Sequence, residues 1–250
     1  MEFDNVYDDA RRAEAYSKLE FPGTYYLAYR DIPGIIARHV RGRRAMDFGC
    51  GTGRSTRFLE QLGFEAVGVD IARDMLMQAQ AADPDGDYRL VEDGNLQSLE
   101  GEEFDLVLSV FTFDNIPTME KKVALFSQLR SMLSGNGVIV SVVSAPEIYV
   151  NEWASFSTRD FPENRRAKSG DRVKIIITDV DDKRPVEDVV WGDDAYREVY
   201  DEAGLGVVEM LKPLGKDSEP IDWVNETRIA PWVIYVLRRR EDQGRGRGAG

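Results

Sequence analysis

From residue 45 onward, short apolar runs alternate with segments whose apolar positions recur every three to four residues. This alternation predicts a parallel sheet with helices on both faces. Residues 44–48, 66–70, 88–91 and 104–110 read as the first four strands. A helix after the first strand carries Phe58, Leu59 and Leu62 on one face and stops at Gly63. A second, over 73–82, buries Met75, Leu76 and Ala79 and ends at Asp83-Pro84. The spacing predicts a third helix over 117–133, with Pro117 in its first turn and Val123, Phe126, Leu129 and Leu133 along one stripe. Ser134-Gly135-Asn136-Gly137 closes it before a fifth strand at 138–143. A helix around 193–203 and strands at 205–211 and 232–237 complete the series.

Two segments break the alternation. Residues 1–42 are rich in tyrosine (Tyr7, Tyr16, Tyr25, Tyr26, Tyr29) and read as a helical cap. Residues 145–191 carry an aromatic-polar stretch and a hairpin pattern at 173–178 and 186–191. Both are candidate lids; the alternative is surface decoration without ligand contact. The expected organisation is a cap over 1–42, one α/β domain over 43–240 with its lid insertion at about 145–191, and a flexible tail over 241–250.

Composition narrows the partners. The chain has 250 residues, 42% of them hydrophobic, enough for one sizeable α/β domain. A net charge of −13 speaks against a nucleic-acid partner, which needs a dense cationic surface. Arg238-Arg239-Arg240 and the Gly/Arg stretch after it are locally basic, but short and glycine-rich, as in a frayed tail. The one cysteine, Cys50, has no disulfide partner, and no Cys/His cluster suggests zinc. No apolar run reaches membrane-span length, and the start of the chain lacks a basic-then-apolar signal. The expectation is a cytoplasmic protein with no membrane partner and no metal.

Candidate chemistry concentrates at residues 45–56. An apolar run ends in Asp47, then Gly49, Gly51 and Gly53 alternate, then a helix begins. Such a turn brings backbone close to a ligand and aims the free N–H groups of a helix start at it. Asp70 closes the second strand, where a carboxylate suits a ribose diol. A dinucleotide fingerprint would need glycine at position 54, which is Arg54, and no Gly-Lys-Ser/Thr follows as in a phosphate loop. Asp47 would repel a pyrophosphate but suits the ammonium end of an amino-acid moiety. NAD and ATP are disfavoured.

Five motifs in order carry a resemblance: Asp47-Phe48-Gly49-Cys50-Gly51-Thr52-Gly53, Val69-Asp70-Ile71 with Asp74-Met75-Leu76, Glu92-Asp93-Gly94-Asn95, Phe104-Asp105-Leu106-Val107 and Leu133-Ser134-Gly135-Asn136-Gly137. Over roughly residues 43–145 the chain resembles class I S-adenosylmethionine-dependent methyltransferases. The resemblance implies a Rossmann-like seven-stranded sheet, mostly parallel with an antiparallel last strand, S-adenosylmethionine as cofactor and S-adenosylhomocysteine as product. By position it implies that Gly49, Gly51 and Gly53 face the methionine part, with Asp47 near its ammonium. Asp70 would take the ribose hydroxyls, Ile71 and Met75 would flank the adenine, and Asp93 would accept its amino group beside Gly94. Ser109 and Phe111 would sit under the sulfonium. Tyr16, Tyr26 and Arg30 are candidates to close over the methionine carboxylate; the competing reading is an aromatic helix packed on the core. Ala72 and Asn95 depart from the usual pattern, and Cys50 falls at a packing position.

Ligands of parallel sheets bind beyond the carboxyl ends of the strands. His39, the one histidine, precedes the first strand and belongs near the opposite edge. Asp114 and Asn115, after strand four, would orient or deprotonate an acceptor, or else cap the helix that follows. Phe113 lies beside them. Trp223 and Glu226 in the loop before the last strand would wall the same pocket, and Tyr149, Trp153 and Phe156 supply surface for a ring-like acceptor. Asp114 and Glu226 are the candidate catalytic carboxylates. The function expected is in-line methyl transfer to an O, N or C nucleophile of a small, ring-containing molecule. The alternatives are a non-enzymatic S-adenosylmethionine-binding sensor or assembly protein, and an aminopropyl transferase on the same sheet.

Overall fold

The computed structural model describes residues 21–240; Tyr16 and the tail over 241–250 lie outside the described residues. Two helices, α1 (Tyr25–Tyr29) and α2 (Ile32–His39), lead into β1 (Arg44–Phe48). Then follow α3 (Arg54–Gln61), β2 (Glu65–Asp70), α4 (Arg73–Ala82), β3 (Asp87–Leu90), β4 (Phe104–Val110), α5 (Met119–Ser131) and β5 (Leu133–Ser144). An insertion carries β6 (Phe156–Ser157), β7 (Arg172–Ile177) and β8 (Val186–Val189) before α6 (Asp193–Glu202), β9 (Leu205–Leu211) and β10 (Trp232–Arg239).

Seven strands form one sheet in the order β3-β2-β1-β4-β5-β10-β9. Pairing is parallel from β3 to β5, and β10 runs antiparallel to both β5 and β9. The central strands read as continuous apolar runs because both faces are covered. In β5, Val138, Val140 and Val142 point to one core, shared with Leu27, Ile32 and Ile35 of the N-terminal helices. Ile139 and Val143 point to the other, against Leu125, Phe126 and Leu129 of α5 and Val199 of α6. The period of two thus divides one strand between two helical layers.

Two predicted boundaries move. Helix α5 starts at Met119, and its cap is Thr118, whose side chain accepts from Lys121 N–H. Asp114 and Asn115 therefore do not cap it; they lie in a short 3-10 turn, Thr112–Asn115. The segment read as a closing loop, 134–137, is the start of β5, because Leu133 pairs with Phe104 and Phe104 N–H donates to Met132 O (2.8 Å). Ser134-Gly135-Asn136-Gly137 fall within β5 but bulge between its pairs Leu133–Phe104 and Val138–Leu106, which accommodates their turn propensity.

The insertion folds as a separate antiparallel sheet, β6-β7-β8. Val173, Ile175, Ile177 and Val186 pack into the same core as α1 and Trp232. One polar knot holds this sheet, the N-terminal segment and the β9–β10 loop together. Thr24 N–H donates to Ser155 Oγ (2.9 Å), Ser155 N–H to Thr24 Oγ1 (3.0 Å), and Thr24 Oγ1 to Glu226 Oε1 (2.6 Å). Among the described residues, no helix is long and apolar enough to cross a membrane.

Candidate functional site

The site begins where β1 ends. Gly49, Gly51 and Gly53 all have positive φ (74°, 53° and 77°), a region that costs other residues energy. Gly49 and Cys50 N–H groups both donate to Val69 O, which holds the turn against the end of β2. The three glycines then differ. A Cβ on Gly49 would overlap the Thr112 side chain, and one on Gly53 would lie 2.6 Å from the Tyr88 hydroxyl. A Cβ on Gly51 would meet nothing within 4 Å. Gly49 and Gly51 line a cavity of about 290 Å³, whereas Gly53 packs beneath Tyr88 and does not reach it.

Asp70 ties this turn to α4. Its Oδ2 accepts from Gly51 N–H (2.7 Å) and its Oδ1 from Ala72 N–H (2.8 Å). Ile71 and Met75 line the cavity beside it. Asp93 and Gly94 form the next stretch of wall; Asp93 pairs with Lys121 (2.5 Å), and Gln128 Nε2 donates to Gly94 O (2.9 Å).

Asp47 stands behind the turn, fully buried, and is not part of the wall. Ser55 and Thr56, from the first turn of α3, donate hydroxyls to its Oδ2 (2.6 and 2.7 Å), while Oδ1 is buried without a partner. Burial pushes its carboxyl up to about 6 despite those two donors. A buried carboxylate oxygen without a donor is a costly arrangement that a cationic ligand group would relieve. With the open space over Gly51 and the Asp70 carboxylate alongside, the residues present fit an adenosyl amino acid.

The cavity continues past β4. Phe111 is the one non-glycine residue with positive φ (64°) among those described, held by its N–H bond to Val142 O and by Trp232, whose ring centroid is 4.4 Å away. Such strain in a bulky residue persists only where its surroundings enforce it. Thr112 Oγ1 donates to Phe48 O (2.8 Å), so this turn and the glycine turn are pinned to each other. Asp114 and Asn115 line the wall that follows. Ser144 N–H donates to Asp114 (3.1 Å), the Tyr196 hydroxyl lies 3.4 Å from it, and burial raises its carboxyl. Beyond them, Tyr149, Phe156, Ile175 and Trp232 close an aromatic and apolar chamber under the insertion.

Several residues singled out in the sequence lie elsewhere. Glu226 is fully buried and saturated: Thr24 Oγ1 and Ala154 N–H donate to Oε1, Val224 and Asn225 N–H to Oε2. It is the knot that joins three segments, not a cavity carboxylate. Arg30 turns away to Asp31, Glu219 and the Leu214 carbonyl. Tyr26 packs toward Trp223, and neither lines the cavity. Phe113 stacks on Phe126 (3.9 Å between centroids) inside the α5 core. Trp153 is buried with its Nε1 donating to Ile148 O. Ser109 lies one residue before the end of β4, outside the cavity wall, its hydroxyl buried and unpartnered. His39 meets Glu209 (2.5 Å), away from the cavity.

Among the cavity residues that sequence reasoning missed, Tyr25, Tyr29, Arg54 and Asp188 bear on the chemistry. Tyr25 and Tyr29 are one helical position from Tyr26 and Arg30, a step of 100° around α1 that exchanges the buried face for the outer one. Arg54 carries its guanidinium over the rings of Tyr25, Phe21 and Tyr29 (5.0, 5.3 and 5.5 Å) and lines the cavity. Asp188, on β8, accepts from the Tyr149 hydroxyl (3.1 Å). The signal for Arg54 was its place inside the glycine motif; Asp188 had none, being one of several charged residues in the hairpin.

Comparison with known proteins agrees with this geometry. Residues 46–141 match the family model described as a methyltransferase domain. A cypemycin N-terminal methyltransferase from a Streptomyces species is 32% identical over 140 residues, 53% of this chain and 54% of that protein. A ubiquinone biosynthesis O-methyltransferase from Methylococcus capsulatus is 30% identical over 94 residues, 36% of this chain and 40% of that protein. The chain spans about half the length, or less, of these curated relatives. The CcbJ methyltransferase from Streptomyces caelestis superposes with a TM-score of 0.67 over 96% of this chain and 100% of that one, at 18% identity, which is a likeness of fold. The fold is the one shared with that methyltransferase structure, and residues 46–141 match a methyltransferase domain.

Proposed function

We propose that this chain binds S-adenosylmethionine across the glycine turn and transfers its methyl group, by in-line displacement, to a small, ring-containing acceptor held beneath the β6–β8 sheet. The observation that carries this reading is one continuous cavity, with Gly51 and Asp70 at one end and Tyr149, Phe156 and Trp232 at the other. Both kinds of acceptor nucleophile occur in the names of its relatives, one an N-terminal and one an O-methyltransferase.

When bound, S-adenosylmethionine supplies an electrophilic methyl group on a sulfonium. In this reading Asp70 accepts from the ribose hydroxyls while keeping its two backbone donors, so cofactor grip and loop shape depend on one carboxylate. Ile71 and Met75 flank the adenine, and Asp93 with Gly94 receives its edge. The Asp47 carboxylate favours an ammonium above the turn, and Arg54 answers a carboxylate. Phe111, locked by backbone and by Trp232, separates the two ends. The insertion excludes water, and holding both partners in attack geometry supplies up to about 7–11 kcal/mol in favourable systems. Asp114 takes the acceptor's proton; burial raises its affinity for that proton toward what a general base needs.

Calorimetry with S-adenosylhomocysteine is the test. Saturable one-site binding by the wild type, lost in Asp70→Ala, is expected. Binding of NAD or ATP with no response to S-adenosylhomocysteine would overturn the reading.

A further inference from the structure

We infer that Lys122, a side chain outside the cavity, is the positioning residue that keeps Asp114 ionised and so able to take the acceptor's proton. This rests on the methyl-transfer reading and adds a residue to it. Lys122 lies in the first turn of α5 and is 0% exposed. Lysine is almost never buried to that degree unless its charge is answered, and the positive end of a helix raises the cost. The fold nevertheless sets its Nζ against the Asp114 turn. Nζ donates to Phe113 O, the carbonyl just before Asp114, and lies 5.9, 5.1 and 5.3 Å from the ring centroids of Phe113, Trp191 and Tyr196. The Tyr196 hydroxyl is 3.4 Å from Asp114, so ammonium, phenol and carboxyl share one buried cluster. Asp114 lines the cavity and Lys122 does not. The ammonium therefore acts on the reaction through the carboxylate, without touching a ligand.

Each element packed against this pair contributes a titratable or polar group: Tyr196 and Tyr200 from α6, Tyr149 from the turn after β5, Asp188 from β8 and Ser144 from β5. Burial pushes the three phenols well above their ordinary value, and the nearby carboxylates add to the rise, so they stay neutral. The charge of the cluster rests on Asp114, Asp188 and Lys122. Burial raises the Asp114 carboxyl, against the Ser144 hydroxyl and N–H, the Lys122 charge and the Tyr196 hydroxyl. Burial lowers Lys122, against the pull of Asp114 and Asp188. Ammonium and carboxylate thus hold each other in the charged form. With Lys122 neutral, only uncharged donors would oppose desolvation, and Asp114 would keep a proton of its own and have no room for another. A tie to Phe113 O needs only a donor; the full charge serves the carboxylate. In transfer, the acceptor's O–H or N–H proton passes to Asp114. The freed lone pair forms the bond to the methyl carbon as the C–S bond breaks, and that bond's electron pair stays on sulfur.

The test follows the Asp114 carboxyl carbon and the Lys122 ζ nitrogen by NMR as a function of pH, in the full chain saturated with S-adenosylhomocysteine. Lys122→Met keeps the length and apolar stem of the side chain and removes its charge. The Asp114 midpoint should then rise by at least about half a pH unit, a threefold or greater gain in proton affinity. Asp114→Asn is the reciprocal arm, in which the Lys122 midpoint should fall by at least about the same amount, because coupling is mutual. A lysine that merely tied the Phe113 carbonyl would not respond to that change. A smaller shift, or one of the opposite sign, in either variant overturns the assignment. Should a variant not fold, the other arm and the wild type decide: in a coupled pair each signal reports both titration steps, and two independent single-step curves overturn the role. Uncoupled titrations in a chain that binds S-adenosylhomocysteine remove Lys122 alone and leave the methyltransferase reading standing. Failure to bind S-adenosylhomocysteine removes both.

Discussion

The three glycines of the turn should fail in different ways when each gains a methyl group. All have positive φ, so alanine costs about 1–2 kcal/mol at each from backbone strain alone. At Gly51 nothing else is added, because its Cβ would enter open space in the cavity. At Gly49 the Cβ overlaps Thr112, whose hydroxyl bonds Phe48 O, so overpacking adds about 1–3 kcal/mol and threatens that bond. At a conversion of about 3 °C per kcal/mol, Gly51→Ala should lower Tm by about 3–6 °C and Gly49→Ala by about 6–15 °C. Affinity should follow the opposite order relative to stability. Gly51→Ala is the milder fold lesion, yet its methyl group occupies the space assigned to the cofactor, and S-adenosylhomocysteine should bind at least about tenfold more weakly. Thermal unfolding and calorimetry on the same preparations give both numbers. Wild-type affinity in Gly51→Ala would refute the placement of the cofactor over this glycine. A Tm loss at Gly51 equal to that at Gly49 would refute the geometry of the turn.

Glu226→Ala removes a fully buried acceptor that serves four donors and should destabilise by about 3–5 kcal/mol in denaturant unfolding; unchanged stability with lost turnover would return Glu226 to the catalytic set. Phe113→Ala should cost about 3–5 kcal/mol of stability, since its ring is stacked in the α5 core, and an effect confined to acceptor KM would contradict that position. Asp47 titrates near 6 in the fold against an ordinary carboxyl value near 4, so between those values the folded state holds the proton more tightly. Its contribution to stability is therefore present below about pH 4 and falls by up to about 3 kcal/mol as pH rises through 6, while affinity for an ammonium-bearing ligand should rise over the same window. Asp47→Asn should remove both slopes, and a wild-type pH profile in that variant would defeat the assignment.

The sheet was legible because its strands are buried on both faces and its helices keep the three-to-four spacing, so local pattern and tertiary environment agree. Strand β4 and helix α4 fall at their predicted bounds for that reason, and edge strand β9 does so although it is only partly buried. The glycine turn and Asp70 were legible because their spacing along the chain is their geometry. Legibility ended where the site is assembled across distance. Tyr25 and Tyr26 are equally tyrosine, and choosing between them needs the rotational setting of a five-residue helix, which no periodicity that short defines. Arg54 was read as the absence of a glycine, although its guanidinium lies over three rings and lines the cavity. Trp223 and Glu226 share a loop at the correct edge of the sheet, but Trp223 folds over Gly215 and Glu226 turns inward to the knot.

The buried acids show how a structural carboxylate differs from one set aside for a ligand. Burial is common to Glu226, Asp47 and Asp114, so burial does not distinguish them. Donors do. The fold directs four at Glu226, two at each oxygen, which satisfies an ionised carboxylate without any ligand. It directs two hydroxyls at one oxygen of Asp47 and none at the other. Asp114 shares the Ser144 N–H between its oxygens and has the Ser144 and Tyr196 hydroxyls and the Lys122 charge beside it. An acid taken out of water with its donors withheld is destabilising unless something else supplies them. Asp47, with one oxygen unserved, stands behind the cofactor end of the cavity and Asp114 in its wall, whereas the saturated Glu226 lies away from it. The orphaned oxygen of Asp47 matches a ligand that carries positive charge at its cofactor end.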